Sequence, residues 1–160
     1  MKRTVLMCAA VLVAALVAAP ALGSTPASAA TARHHPPRSA GQRIVSIARR
    51  YVGHARYREG GNTPKRGFDC SGYTQYVFHR AGVARLPHNA EAQRHARHMH
   101  REHAGRARPG DLVFYLSGHH AYHVAIYAGH HEQYSAATPK DGIRHQRIWS
   151  SHVEYRTDWH

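Results

Sequence analysis

The chain has 160 residues, enough for one domain with a hydrophobic core. Its formal charge is +13, with 17 histidines besides, so it adsorbs to polyanions. The basic residues are scattered, with no Lys/Arg block and no aromatic-interleaved basic motif, which argues against a specific nucleic-acid reader and for anionic cell-wall polymers or phospholipid as the polyanion.

Residues 1–29 read as a signal peptide. Lys2 and Arg3 precede an apolar run from Thr4 to Ala19, Pro20 breaks it, and Ala27-Ser28-Ala29 forms an A-x-A site, predicting cleavage near Ala29–Ala30 and export. The apolar run is short for a transmembrane anchor, and no basic stop-transfer cluster follows directly, so no anchor is expected after cleavage. Cleavage also removes Cys8 and leaves Cys70 as a lone thiol, with no intramolecular disulfide to staple the fold.

Residues 30–41, with Pro36-Pro37 and small polar residues, read as a flexible linker, and the folded domain is expected over 42–160. In "QRIVSIARRYVG", Ile44, Ile47, Ala48, Tyr51 and Val52 form an amphipathic helical stripe that Gly53 can end. "HARYREGGNTPKRG" reads as loop. A second helix is expected to start around Cys70, with Cys70, Tyr73, Val77 and Ala81 on one face and Gly82 as its stop. "LPHNAEAQRHARHMHREH" predicts a third helix capped by Asn89, exposed because its apolar face is weak.

After Pro109 the period becomes two. "DLVFYL", "YHVAIYA", "EQYSAAT", "GIRHQRIW" and "HVEYRT" predict short strands separated by turns. Helices followed by strands imply an α+β fold, with an antiparallel sheet packed against N-terminal helices. In "YHVAIYA", Val124, Ile126 and Ala128 share one face, which puts His123 on the other.

A helix N-terminus and a nearby histidine both favour a thiolate. Cys70 has the first in this reading, although a small buried core residue is an equal alternative on spacing alone. Among the histidines, His98, His100 and His103 fit a solvated surface. His119, His120 and His123 cluster before the apolar strand, and only His123 lies on the strand, where a base is held in one orientation. No Cys/His/acid spacing of a structural zinc site is present, and the pairs at 34–35, 119–120 and 130–131 suit at most adventitious zinc or nickel. No metal or cofactor is expected.

The segments "FDCSGYTQYVF", "LPHNAEAQ", "RPGDLVFY" and "HVAIYAG", in this order, resemble the NlpC/P60 family of papain-like cysteine peptidases that cut bacterial cell-wall peptides. The resemblance spans roughly residues 42–155 and implies the papain-like form of the α+β fold. It implies Cys70 as nucleophile and His123 as base. Tyr57, before Gly60-Gly61, is implied to line the active site, and Asp69 and Ser71 to bind substrate. Packing is the plain alternative for Tyr57, and helix capping for Asp69 and Ser71. The family's third catalytic position, often histidine, falls on Ser135, with Gln133 and His145 as alternatives, and His88 stands where arginine is common.

These features imply a secreted, wall-associated, monomeric peptidoglycan endopeptidase. It would cut stem peptides after D-glutamate joined through its γ-carboxyl to a diamino acid. The oxyanion would be held by a backbone N–H at the helix start, with the Tyr57 hydroxyl as a second donor. A thiol-dependent amidase or acyltransferase of the same fold, and a cationic wall-binding or toxic protein that keeps the fold without catalysis, are the rivals.

Overall fold

The computed structural model of the chain describes residues 39–160. The signal peptide expected over 1–29, and the linker up to 38, lie outside the described residues. The first helix, α1 (Ala40–Arg49), begins ahead of the expected Gln42 because Ser39 caps it. The Gln42 N–H donates to the Ser39 hydroxyl at 3.3 Å and the Ser39 N–H donates to the Gln42 side chain at 2.9 Å, a reciprocal capping box that satisfies two helix-start donors. Ile44 and Ala48 of its apolar stripe are fully buried.

The segment read as loop contains a small antiparallel ribbon, β1 (Asn62–Thr63) with β2 (Gly67–Phe68). Two-residue strands carry too little periodicity to show in sequence. Helix α2 (Cys70–Arg80) follows at once, capped by Asp69. It ends at Ala81, and Gly82 takes the left-handed φ of +65° that a helix stop favours. The Arg43 guanidinium donates to the Ala81 carbonyl at 2.9 Å and the Tyr73 hydroxyl to the Ala48 carbonyl at 2.8 Å, so α1 and α2 are joined by polar contacts as well as packing. Tyr51, Phe68, Tyr73 and Tyr76 form an aromatic cluster between them, with ring centroids 5.3–5.6 Å apart.

The third helix departs from its reading. Helix α3 is only Ala90–Arg94, capped by Asn89 as expected, and the polar stretch after it continues into a strand, β3 (His100–Glu102). Nor is α3 simply exposed, because Ala90 and Gln93 are buried. The Gln93 amide accepts from the Thr74 hydroxyl at 2.7 Å and donates to the carbonyls of Ser71 and Pro87 at 2.8 Å each. A side chain buried through satisfied hydrogen bonds leaves no mark in a hydrophobic pattern.

The remaining strands fall where the period-two segments predict them: β4 (Leu112–Ser117), β5 (His120–Gly129), β6 (Glu132–Ala136), β7 (Ile143–Arg147) and β8 (Val153–Thr157). They pair antiparallel in the order β3-β8-β4-β5-β6-β7. One sheet face, with Leu112, Phe114, Val124, Ile126, Tyr134 and Ile143, shares the main core with the helices. The other carries a second cluster of Val113, Tyr115, Ile148 and Tyr155. No described helix is long and apolar enough to cross a membrane.

The β4–β5 pairing contains an irregularity that matters for the site. Tyr115 pairs with His123 and Leu116 with Ala121, leaving Tyr122 as an extra residue. Without this bulge, Ala121 and Val124 could not both face the core, since an odd spacing puts residues on opposite faces of a regular strand.

Candidate active site

The Cys70 side of the site is built around the start of α2. Asp69 adopts an extended conformation and accepts the Gly72 N–H at 2.7 Å, the cap that an acidic side chain supplies to a helix start. The same carboxylate accepts from the Ser71 hydroxyl at 3.1 Å, the Gly60 N–H at 2.9 Å, and His88 Nε2, which stands 2.9 Å from both oxygens. The cap, the Gly60-Gly61 loop and His88 are thus gathered on one buried carboxylate. Gly72 has to be glycine because a Cβ there would run into the Gly61 carbonyl and come within 2.8 Å of His88 Nε2. Gly67, at φ +96°, supplies the left-handed turn that delivers the chain to Cys70.

Cys70 is the first residue of α2, and its thiol is free. Burial pushes its pKa above the ordinary range, and the charges of Asp69 and Glu59 push the same way. The backbone N–H groups of Val124 and Ser71 oppose this without reversing it. The helix start therefore contributes the expected N–H donor, but burial outweighs it, and the net direction is opposite to the one the helix-start argument suggests.

Cys70 and His123 line the same cleft. The His123 imidazole is half-buried, and desolvation alone carries its pKa down to about 4. Its ring lies 5.4 Å from Tyr115 and 5.3 Å from Trp149, which themselves stack at 4.0 Å and 15°. His123 Nε2 is 2.8 Å from the Oγ of Ser135, twelve residues on and fully buried. When Nε2–H donates to Ser135, Nδ1 carries the lone pair that can take a proton. The alternatives to Ser135 are engaged elsewhere. Gln133 accepts from the Tyr115 hydroxyl at 2.9 Å, and His145 pairs with Glu132 at 3.1 Å.

A cleft of about 320 Å³ brings together Tyr57, Asp69, Cys70, Ser71 and His123, with Glu59 and His88. Every sequence-predicted residue except Ser135, which sits behind His123, lines it. One expectation needs correction. The Tyr57 hydroxyl donates to Glu59 at 2.8 Å, and burial with that bond raises its pKa strongly, so its single proton is committed and is not presented to an oxyanion. Sequence reading also missed six contributors. Glu59, inside "YREGG", holds Tyr57. Gln93 braces the Ser71 carbonyl. Tyr115 on β4 and Trp149 in the loop after β7 wall His123 and meet only in the folded chain, so no local pattern reports them. Glu91 accepts the Ala121 N–H at 2.6 Å, tying α3 to the strand carrying His123, and Arg94 forms a two-bond pair with Glu154 at 3.0 and 3.2 Å, tying α3 to β8. Among the described residues, no cluster of three or more His, Cys, Asp or Glu is arranged to hold a metal ion.

Comparison with known proteins agrees with this geometry. The chain is 40% identical over 108 residues to the probable endopeptidase p60 of Listeria monocytogenes, covering 68% of this chain and 21% of that protein. It is 42% identical over 74 residues to the gamma-DL-glutamyl hydrolase of Bacillus subtilis, covering 46% of this chain and 17% of that protein. The chain thus spans about a fifth of the length of these curated relatives. The solved NlpC/p60 domain of the peptidoglycan hydrolase SagA superposes with a TM-score of 0.63 at 30% identity, covering 73% of this chain and 97% of that domain, and the fold is the papain-like one expected. The sequence profile of the NlpC/P60 family matches residues 53–159, and the chain belongs to that family.

Proposed function

We propose that the protein is a peptidoglycan hydrolase, a cysteine endopeptidase that cuts an amide bond in cell-wall stem peptides through Cys70. The observation that carries this reading is one cleft that places the Cys70 thiol together with His123, an imidazole whose Nε2 is held by Ser135.

Burial holds the resting pair uncharged, as a thiol with a neutral imidazole. His123 Nδ1 takes the thiol proton as the sulfur bonds to the scissile carbonyl carbon, and the carbonyl π pair moves onto oxygen. The backbone N–H at the start of α2 holds that oxyanion. Collapse breaks the C–N bond, and the imidazolium gives its proton to the departing amine, leaving a thioester. Water then attacks the thioester and loses a proton to His123. Collapse breaks the C–S bond, and the sulfur recovers the proton. Ser135 keeps the ring in one tautomer and orientation as a positioning residue.

The bond between D-glutamate, through its γ-carboxyl, and a diamino acid is the proposed target, supported by the similarity to a gamma-DL-glutamyl hydrolase. Asp69 and Ser71 hold the floor of the acyl side while capping the helix, and Tyr57 walls it. Export through the 1–29 leader would deliver the enzyme to its substrate, and the net charge would keep it, as a monomer, on anionic wall polymers.

The test is mass analysis of a defined stem peptide after incubation with the wild-type protein or Cys70→Ala. The expected result is one cut, after D-glutamate, with wild type alone. A cut only between sugar and L-alanine would assign an amidase instead. Unchanged wall binding or toxicity in Cys70→Ala, with no cut by either protein, would assign the cationic, non-catalytic role.

A further inference from the structure

We propose that the cleft on the far side of His123 is a second binding site, which takes the amine-side residue of the substrate and selects a side chain ending in a free ammonium with no carboxylate beside it. The proposal rests on the hydrolase reading. In that reaction His123 hands its proton to the departing amine, so the amine-side residue lies on the His123 side of Cys70. The opposite side is occupied by Asp69, Ser71 and His88.

On the His123 side there is a separate cleft of about 340 Å³, lined by Tyr122, His123, Thr138, Asp141, Gln146 and Trp149. It shares Tyr122, His123 and Ala137 with the nucleophile cleft, so one extended peptide can occupy both. Tyr122 and Trp149 are the exposed large hydrophobic side chains among the described residues, at 55% and 51% exposure, and both stand at this cleft. Trp149 is fixed where it stands. Its ring stacks on Tyr115 at 4.0 Å and 15°. An immobilised indole face at a cleft favours a cation.

The second observation is the charge at Asp141. In so basic a chain most carboxylates have a His or Arg within ion-pair reach. Among the described residues only Glu59 and Asp141 do not. Glu59 is taken by the Tyr57 hydroxyl, while Asp141 accepts only from its neighbour, the Thr138 hydroxyl, at 2.6 Å. Asp141, exposed at this cleft, therefore stands without an ion-pair partner among the described residues. No Lys or Arg lines this cleft, so a carboxylate on the ligand would meet Asp141 without a counter-ion.

The test uses stem peptides identical on the acyl side, with lysine, Nε-acetyl-lysine or meso-diaminopimelate after the scissile bond. A second arm titrates the dipeptide L-Lys-D-Ala, the amine-side product, against intrinsic tryptophan fluorescence, with Trp149→Phe to identify the signal. Wild type is expected to cleave the lysine peptide about 10-fold faster than either other peptide, the combined effect of one partly exposed ion pair and one cation–π contact. Asp141→Asn keeps the Thr138 hydrogen bond. It is expected to cut that preference, and the dipeptide's affinity, by about 3-fold, with the acetyl-lysine rate unchanged. Equal rates on all three peptides, or an Asp141→Asn protein with unaltered preference and affinity, would overturn the proposal. If no peptide is cleaved but the dipeptide binds in an Asp141-dependent way, the hydrolase reading fails and the site stands.

Discussion

Cys70 and His123 are held by different means. Cys70, the proposed nucleophile, sits at the head of a helix whose cap, Asp69, collects donors from Gly72, Ser71, Gly60 and His88. His123, the proposed base, sits on a bulged strand and is held by two aromatic rings and one hydroxyl. A network of short hydrogen bonds on a buried carboxylate is cooperative and bears on folding as well as position. Ring packing with a single neutral hydrogen bond fixes orientation while binding the proton little, as the low pKa of His123 shows. Damage to the first side should therefore appear in stability, and damage to the second in turnover.

The largest effect expected is on chemistry itself. Cys70→Ala and His123→Ala should each lower kcat/KM by 10³-fold or more in a stem-peptide assay, with near-native thermal unfolding. The pH profile comes next. Because the proposed mechanism starts from the neutral imidazole and burial carries its pKa down to about 4, activity should be flat from pH 5.5 to 7 and fall only as pH drops through 4. A steep rise between 5.5 and 7 would mean that another histidine governs activity. The same shift has a sign for stability. The group binds a proton less readily folded than unfolded, near 6.5, so its contribution is full above pH 6.5 and is lost as pH falls toward 4.

The two supporting residues then separate the two sides. Ser135→Ala should lower kcat about 10-fold, with KM and unfolding temperature little changed, since it removes one neutral hydrogen bond behind the ring. Asp69→Ala should cost about 2 kcal/mol in denaturant unfolding, for a lost cap and buried donors left unpaired, with activity falling as a consequence. Large destabilisation from Ser135→Ala and none from Asp69→Ala would reverse the comparison. The smallest effect lies away from the site. His130 and His131 form the two-residue turn between β5 and β6 with φ of 52° and 61°, where Asn-Gly is favoured. The double change to Asn-Gly should stabilise the fold by about 1 kcal/mol and leave kcat unaltered.

The nucleophile side was more legible in the sequence for the same physical reason that makes it stable. Asp69, Cys70, Ser71 and Gly72 act through contacts a few residues apart, and a helix start writes those contacts as a local motif. His123 could be placed on its strand face from alternation, and Ser135 by counting the dozen residues that the family resemblance implies, although the β5–β6 pairing shifts register between Tyr127 and Gly129. The rest of the base side was hidden. The bulge at Tyr122, the Tyr115–Trp149 stack and the α3 braces depend on which segments lie side by side. Chain spacing carries none of that. The helix-start argument also identified a real donor at Cys70 but gave the wrong net direction, because depth of burial is not visible in a motif.

The central claim is that Cys70 forms the covalent bond to the substrate's acyl half. Rapid acid quench of the enzyme with a stem peptide, followed by proteolysis and mass analysis, tests it directly. The account predicts an acyl adduct on the peptide containing Cys70 in wild type, and none in Cys70→Ala. Continued product formation by Cys70→Ala, or an adduct on any other residue, would contradict it.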